Sequence, residues 1–137
     1  MPITLVFTGI FALFYVFLIL NVISFRQKNN LPYGDGNNIE MIRRQRAQGN
    51  FAEYVPLALF MLGLMEIADL PKFIILIMAF VLLIGRISHA YGLLIAEGKG
   101  IQNRKNLFPR IAGMMLTISY FMVSALICIT IGIIKIF

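Results

Sequence analysis

Arg46-Ala47-Gln48-Gly49-Asn50-Phe51-Ala52-Glu53-Tyr54-Val55-Pro56-Leu57 is the stretch where a charged, water-compatible segment passes into an apolar run, and the architecture of the chain turns on it. At roughly 100° per residue, Arg46, Asn50 and Glu53 fall within an arc of about 60° on one helical face. A cation, an amide and an anion therefore share one stripe. It rises about 10 Å along the axis, roughly the length of an extended tripeptide or another small zwitterion. Turned toward lipid, such a stripe is costly, so it must face a partner helix, a ligand or both.

The surrounding chain says that lipid is the solvent. Of its 137 residues 60% are hydrophobic, and the mean hydropathy is +0.87, values far from those of a soluble domain. Four runs approach the ~20 apolar residues that a hydrocarbon core requires: Ile3 to Phe25, Phe51 to Ile67, Phe73 to Leu94 and Ile111 to Ile134. The expected fold is all-α, an integral membrane four-helix bundle forming one domain over residues 1–137. No Lys or Arg precedes the first run, it exceeds the ~7–15 residues of a signal-peptide core, and no small-residue cleavage site follows, so it reads as a retained span.

Turn formers divide the runs. Asn29-Asn30, Pro32, Gly34, Asp35, Gly36 and Asn37-Asn38 stop the first helix, and Asn38 is a candidate N-cap for a second helix over 39–68 that contains Pro56. Leu70-Pro71 marks a tight turn. The third helix is expected from Pro71 to about Ala96, followed by a polar loop that opens at Gly98-Lys99-Gly100 and ends at Pro109, with the fourth helix after it.

The net charge is +6, but the basic residues are divided between loops and form no single patch, which argues against a nucleic-acid partner. Arg26, Lys28, Arg43, Arg44 and Arg46 fall in the first loop, and Lys99, Arg104, Lys105 and Arg110 in the third. The second link offers only Lys72, opposed by Glu66 and Asp69. By the positive-inside rule, segments 26–50 and 96–110 are cytoplasmic and both termini lie on the far side. Cys128 is the single cysteine, so it forms no intramolecular disulfide and reads as an apolar packing residue. No internal repeat, Gly-rich phosphate loop or metal-ligand cluster is present in the sequence.

An antiparallel hairpin series brings Arg26, the Arg46 to Tyr54 stripe, Arg86, His89, Tyr91 and Arg110 to one leaflet. Each has a plainer reading. Lys28, Arg43, Arg44, Lys99, Arg104 and Lys105 serve as topology determinants facing phospholipid, with Arg26 among them. The stripe can be an interhelical clamp in which Glu53 pairs with Arg86, His89 a neutral hydrogen-bonded bundle residue, and Tyr54 and Tyr91 interfacial belt aromatics. Arg86 resists the plain reading, since it lies roughly 13 Å before the end of its run and cannot easily snorkel without a partner. Four arginines against one carboxylate, Glu53, make a net positive cavity suited to a ligand with more negative than positive groups. A thiol near an arginine is acidified because fixed positive charge favours the thiolate. The nucleophile then belongs to the ligand.

These residues carry a resemblance. The run Arg46 to Leu57 closely resembles the second-helix signature of the MAPEG family, the membrane-associated proteins in eicosanoid and glutathione metabolism; Gly85-Arg86-Ile87-Ser88-His89-Ala90-Tyr91 is similar to its third-helix motif, and Pro109-Arg110 stands in the place of its fourth-helix arginine. The resemblance implies a homotrimer with glutathione as co-substrate, held between neighbouring protomers near the cytoplasmic leaflet. By carry-over, Arg46, Asn50, Glu53 and Tyr54 hold glutathione: Arg46 and Arg86 with its carboxylates, Glu53 with its amino group, Asn50 and Gln48 with its peptide. His89 and Tyr91 line the same site, and Arg26 reaches a carboxylate from the adjoining chain. Arg110 is the implied catalytic group, stabilising the thiolate that attacks a lipophilic electrophile or hydroperoxide arriving through the bilayer. His89 stands where some members have tyrosine, and the long segment from Glu97 to Arg110 leaves the choice between Arg104 and Arg110 open.

The implied function is a glutathione-dependent membrane transferase, with peroxidase activity as a second reaction, of the bacterial inner-membrane branch. One rival is a non-catalytic member that binds lipid or partner proteins through the same groove. Another, a four-span proton-coupled exporter, is disfavoured because Ile3 to Phe25 has no acidic residue to exchange proton and cation.

Overall fold

The computed structural model describes residues 1–100 and 104–137, and of Arg104 the backbone alone. Four helices form: α1 (Pro2–Lys28), α2 (Ile39–Ile67), α3 (Lys72–Tyr91) and α4 (Arg104–Ile136). All four belong to helical stretches long and apolar enough to cross a membrane, and the chain is an integral membrane protein. Asn38 caps α2 with its own side chain, whose Oδ1 accepts from the backbone N–H groups of Glu40 (2.9 Å) and Met41 (3.2 Å). That satisfies two of the donors a helix start leaves orphaned. α2 then runs unbroken through Pro56.

The helices pack as two hairpins, α1 chiefly on α2 and α3 chiefly on α4, with α2 also touching α3 and α4. Phe51 joins the first pair: its ring lies 5.9 Å from Phe11, 5.4 Å edge-on from Phe14 and 5.6 Å stacked on Tyr15. At the far end of the same hairpin, Glu66 of α2 caps α1. Its carboxylate accepts from the backbone N–H of Ile3 (2.9 Å) and Thr4 (2.8 Å) and from the Thr4 hydroxyl (2.5 Å). The second pair is closer still, because its backbones meet at glycines. A Cβ on Gly113 would lie 2.5 Å from the carbonyl oxygen of Gly85 and the amide nitrogen of His89, and one on Gly92 would lie 2.6 Å from the amide nitrogen of Arg110.

Two boundaries differ from the sequence reading. The third helix stops being α-helical at Tyr91; Gly92–Ala96 form a π-helical turn and Glu97–Lys99 a 3₁₀ turn. The wider turn rotates the residues after it, and Glu97 ends up buried at 5% exposure. Pro109 does not close a loop but sits inside α4, which begins at Arg104. A proline so near a helix start removes one main-chain hydrogen bond, and its carbonyl gains a donor in the Ser88 hydroxyl (2.8 Å). Residues 101, 102 and 103 of the expected loop lie outside the described residues.

Candidate functional site

Arg86 is the most deeply placed cation of the candidate set, 2% exposed on the side of α3 that meets α2. Its Nη1 donates to the backbone carbonyl of Asn50 (3.3 Å), and its guanidinium carbon lies 5.5 Å from the centre of the Tyr54 ring. Tyr54 is in turn held against Phe121 of α4, with ring centres 6.3 Å apart. Nε and Nη2 of Arg86 have no hydrogen-bond partner among the described residues. Asn50 turns its own amide back along α2, donating from Nδ2 to the Arg46 carbonyl (2.8 Å).

The alternative clamp, in which Glu53 pairs with Arg86, is not formed among the described residues. Glu53 is exposed. It precedes Tyr54 by one residue, so it is turned about 100° from the side of α2 that receives Arg86. The arginine instead takes a main-chain carbonyl and an aromatic face, neither of which neutralises its charge.

One turn beyond Arg86, His89 is 2% exposed and lies within electrostatic reach of both Arg86 and Arg110. Arg110 continues the row at the start of α4, where its Nη1 donates to Oε1 of Glu97 at 3.1 Å. Glu97 is a residue that the sequence motifs do not single out. They give the cavity one carboxylate; the structure supplies a second, and it is Glu97 rather than Glu53 that meets an arginine. The signal that could have found it is an acidic residue just past the third apolar run, on the side where the arginines gather.

Within one copy, then, Asn50, Tyr54, Arg86, His89 and Arg110 come together. Arg46, Glu53 and Tyr91 are exposed and stand outside that cluster, and Gln48 is half-buried on α2. Arg26 is half-buried at the end of α1, where its Nη1 donates to the Leu31 carbonyl (3.3 Å) and it lines an open groove of about 670 Å³ with Gln27 and Asn30. The side chain of Arg104, the other candidate thiolate partner, lies outside the described residues. Arg44 does more than face phospholipid: it bonds Asn21 and Glu40 and lies 4.6 Å over the Phe25 ring, tying α1 to α2. Cys128 is a half-buried free thiol.

A net cationic cluster rimmed by an amide, a phenol and an imidazole can hold an anion. On a different side of α2, an apolar groove of about 420 Å³ runs between α1 and α2, lined among others by Phe11, Tyr15, Phe51, Ala52 and Pro56. No group of three or more His, Cys, Asp or Glu suited to a metal ion occurs among the described residues.

Comparison with known proteins agrees with this architecture. The model of the MAPEG family matches residues 4–130. Over 72 residues the chain is 35% identical to inner membrane protein YecN of Escherichia coli (strain K12), and to the same degree to that of Escherichia coli O6:H1 (strain CFT073). The aligned part is 53% of this chain and 55% of theirs, so the chain spans about half the length of the curated relatives it matches. No solved structure matches it.

Proposed function

The chain belongs to the MAPEG family, and from that membership we propose that it is a glutathione-dependent membrane transferase acting on hydrophobic electrophiles, with lipophilic hydroperoxides as a second substrate class. The observation that carries this reading is Arg86. A guanidinium withdrawn from water, with two nitrogens lacking a partner among the described residues, creates a strong demand for an anion beside Asn50 and Tyr54. Glutathione, with two carboxylates and one ammonium, matches a site richer in arginine than in carboxylate.

The exposed face of α2 supports the same reading. Arg46 and Glu53 head an exposed face of α2 that continues through Leu57, Phe60 and Leu64. A carboxylate leading an apolar stripe is costly against lipid. A second copy of the chain covers it, in a homotrimer whose neighbouring protomers bring Arg26, Arg46, Gln48 and Glu53 onto the ligand that Asn50, Tyr54 and Arg86 hold. In this arrangement Arg46 and Arg86 take the carboxylates, Glu53 the amino group, Asn50 and Gln48 the peptide, while His89 and Tyr91 line the wall. The groove between α1 and α2 offers a lipophilic molecule an apolar surface lined by Phe51, Ala52 and Pro56.

Bound glutathione supplies a sulfur nucleophile. Arg110 lowers the cost of negative charge on that sulfur, and the thiol proton leaves to solvent. As the sulfur–carbon bond forms, the bond to the leaving group breaks and the leaving group keeps its electron pair. With a hydroperoxide, two glutathiones are oxidised to the disulfide while the peroxide is reduced to alcohol and water. The inner-membrane relatives in Escherichia coli support a bacterial inner membrane, and the gathering of basic residues in segments 26–50 and 96–110 supports a cytoplasmic side for both.

Thiolate absorbance of glutathione, titrated with and without the purified protein, tests the proposal. The bound thiol is expected to ionise at lower pH than the free one, and coincident curves overturn the catalytic reading. One observation favours a second reading: Arg110 already has a counter-ion in Glu97. In that case the groove takes lipid or a partner protein without activating a thiol, and Arg110→Ala leaves the protein's biological effect intact.

A further inference from the structure

Glu97 and Arg110 are held on two segments that cannot drift apart. The π turn Gly92–Ala96 delivers Glu97, and its first residue, Gly92, presses against the backbone of Arg110 so closely that a Cβ there would sit 2.6 Å from the amide nitrogen. The carboxylate is buried at 5% exposure while the guanidinium side chain keeps 44%, and the two meet through Nη1 and Oε1 at 3.1 Å. One corner of the guanidinium fork is thus fixed. Among the described residues Glu97 is its only ionic partner, which leaves the rest of the fork for a second anion.

We propose that Glu97 is the positioning residue of Arg110, holding its guanidinium in one orientation through Nη1 and, by its own negative charge, setting how strongly Arg110 stabilises an anion. The identity of that anion as the glutathione thiolate rests on the function proposed above; the pairing does not. A carboxylate here has two opposed effects. It removes the rotational freedom of a long side chain, which favours catalysis by orientation. It also offsets the positive potential at the sulfur, so the thiol is acidified less than by an isolated arginine. The arrangement exchanges nucleophile concentration for nucleophile strength, since a less acidified thiolate is the better attacking group.

Charge and geometry can be separated by two variants of the full chain in lipid nanodiscs. Glu97→Gln keeps an oxygen that accepts from Nη1 but removes the charge; Glu97→Asp keeps the charge on a shorter stem. Two readouts apply: thiolate absorbance of glutathione against pH, and, without glutathione, the rate at which phenylglyoxal modifies Arg110, followed by peptide mass spectrometry. In Glu97→Gln the bound thiol should ionise about one pH unit lower than in the wild type, because the opposing charge is gone. Arg110 should also be modified several-fold faster, since loss of the ion pair frees the guanidinium to meet the reagent. Glu97→Asp should keep the wild-type titration and lose turnover. A titration in Glu97→Gln that is unmoved or displaced upward, or an unchanged modification rate, overturns the proposal. If Glu97→Gln does not fold, Glu97→Asp decides alone: a titration displaced downward, or full turnover, overturns it. A pair that merely closes the loop predicts equal loss of thermal stability in both variants with neither readout moved. If wild-type bound thiol titrates like free glutathione, the transferase reading falls, while the phenylglyoxal comparison still judges the pairing.

Discussion

Arg86 and Arg110 carry the same charge into opposite surroundings. Arg86 is sealed between α2 and α3 with a carbonyl and a ring for company, whereas Arg110 is half open and ion-paired. Different substitutions therefore test them. Arg86→Met, which keeps most of the volume and removes a buried charge, should leave the fold intact and weaken glutathione binding at least tenfold by calorimetry, in keeping with the tolerance of buried ionic groups to apolar replacement. Arg110→Ala should instead lower turnover by about 10²–10³-fold with binding little changed, the magnitude typical of losing one anion-stabilising donor. Steady-state kinetics separates the two patterns. Glu53→Gln should weaken glutathione more than an analogue lacking the amino group; equal losses would refute its contact with the ammonium. That these side chains are chemically loaded was legible in the sequence. Which of them meets which was not, because one residue of rotation on α2 decides whether Arg86 finds a carboxylate or the face of Tyr54.

The seam between α3 and α4 depends on hydrogen atoms where other residues have a methyl. Gly113→Ala would place a carbon 2.5 Å from the backbone of α3, and should cost about 1–3 kcal/mol as overpacking that no flexible side chain relieves. Gly9→Ala, where nothing lies within 4 Å, is the control; similar melting temperatures for the two in detergent would contradict the close approach. Glu66 closes the other hairpin, and Glu66→Ala orphans the donors of Ile3 and Thr4 that it now satisfies. A loss of about 1–3 kcal/mol is expected, with faster hydrogen exchange confined to the first turns of α1. Uniform exchange along α1 would argue against the cap. At this scale the Asn38 cap and the Leu70-Pro71 turn were readable, since both act on their own neighbours. The π turn at Gly92 was not, because it is shaped by the backbone of α4 lying against it.

Across the bundle as a unit, one copy leaves long apolar faces uncovered on every helix, among them Leu5 and Leu13 of α1, Leu57 and Phe60 of α2, and Met122 and Leu126 of α4. Lipid suits most of these faces, but not the one headed by Glu53. Leu57→Arg, placed on that face, should convert the expected trimer to monomers by native mass spectrometry and abolish glutathione binding with it; a wild type that is monomeric and still binds would remove the need for a shared site. Apolar run length, turn formers and the distribution of basic residues are properties of single segments, and they suffice to place four membrane-crossing helices in order, while the short motifs Arg46 to Leu57 and Gly85 to Tyr91 carry the resemblance to the family. The exposure of each arginine, the partner of each carboxylate and the approach of α3 to α4 depend on how packed helices rotate against one another. Those rotations are fixed by contacts between residues far apart in the chain, such as Gly92 with Arg110 and Asn50 with Arg86. No single segment holds that information, which exists once the helices are packed and not before.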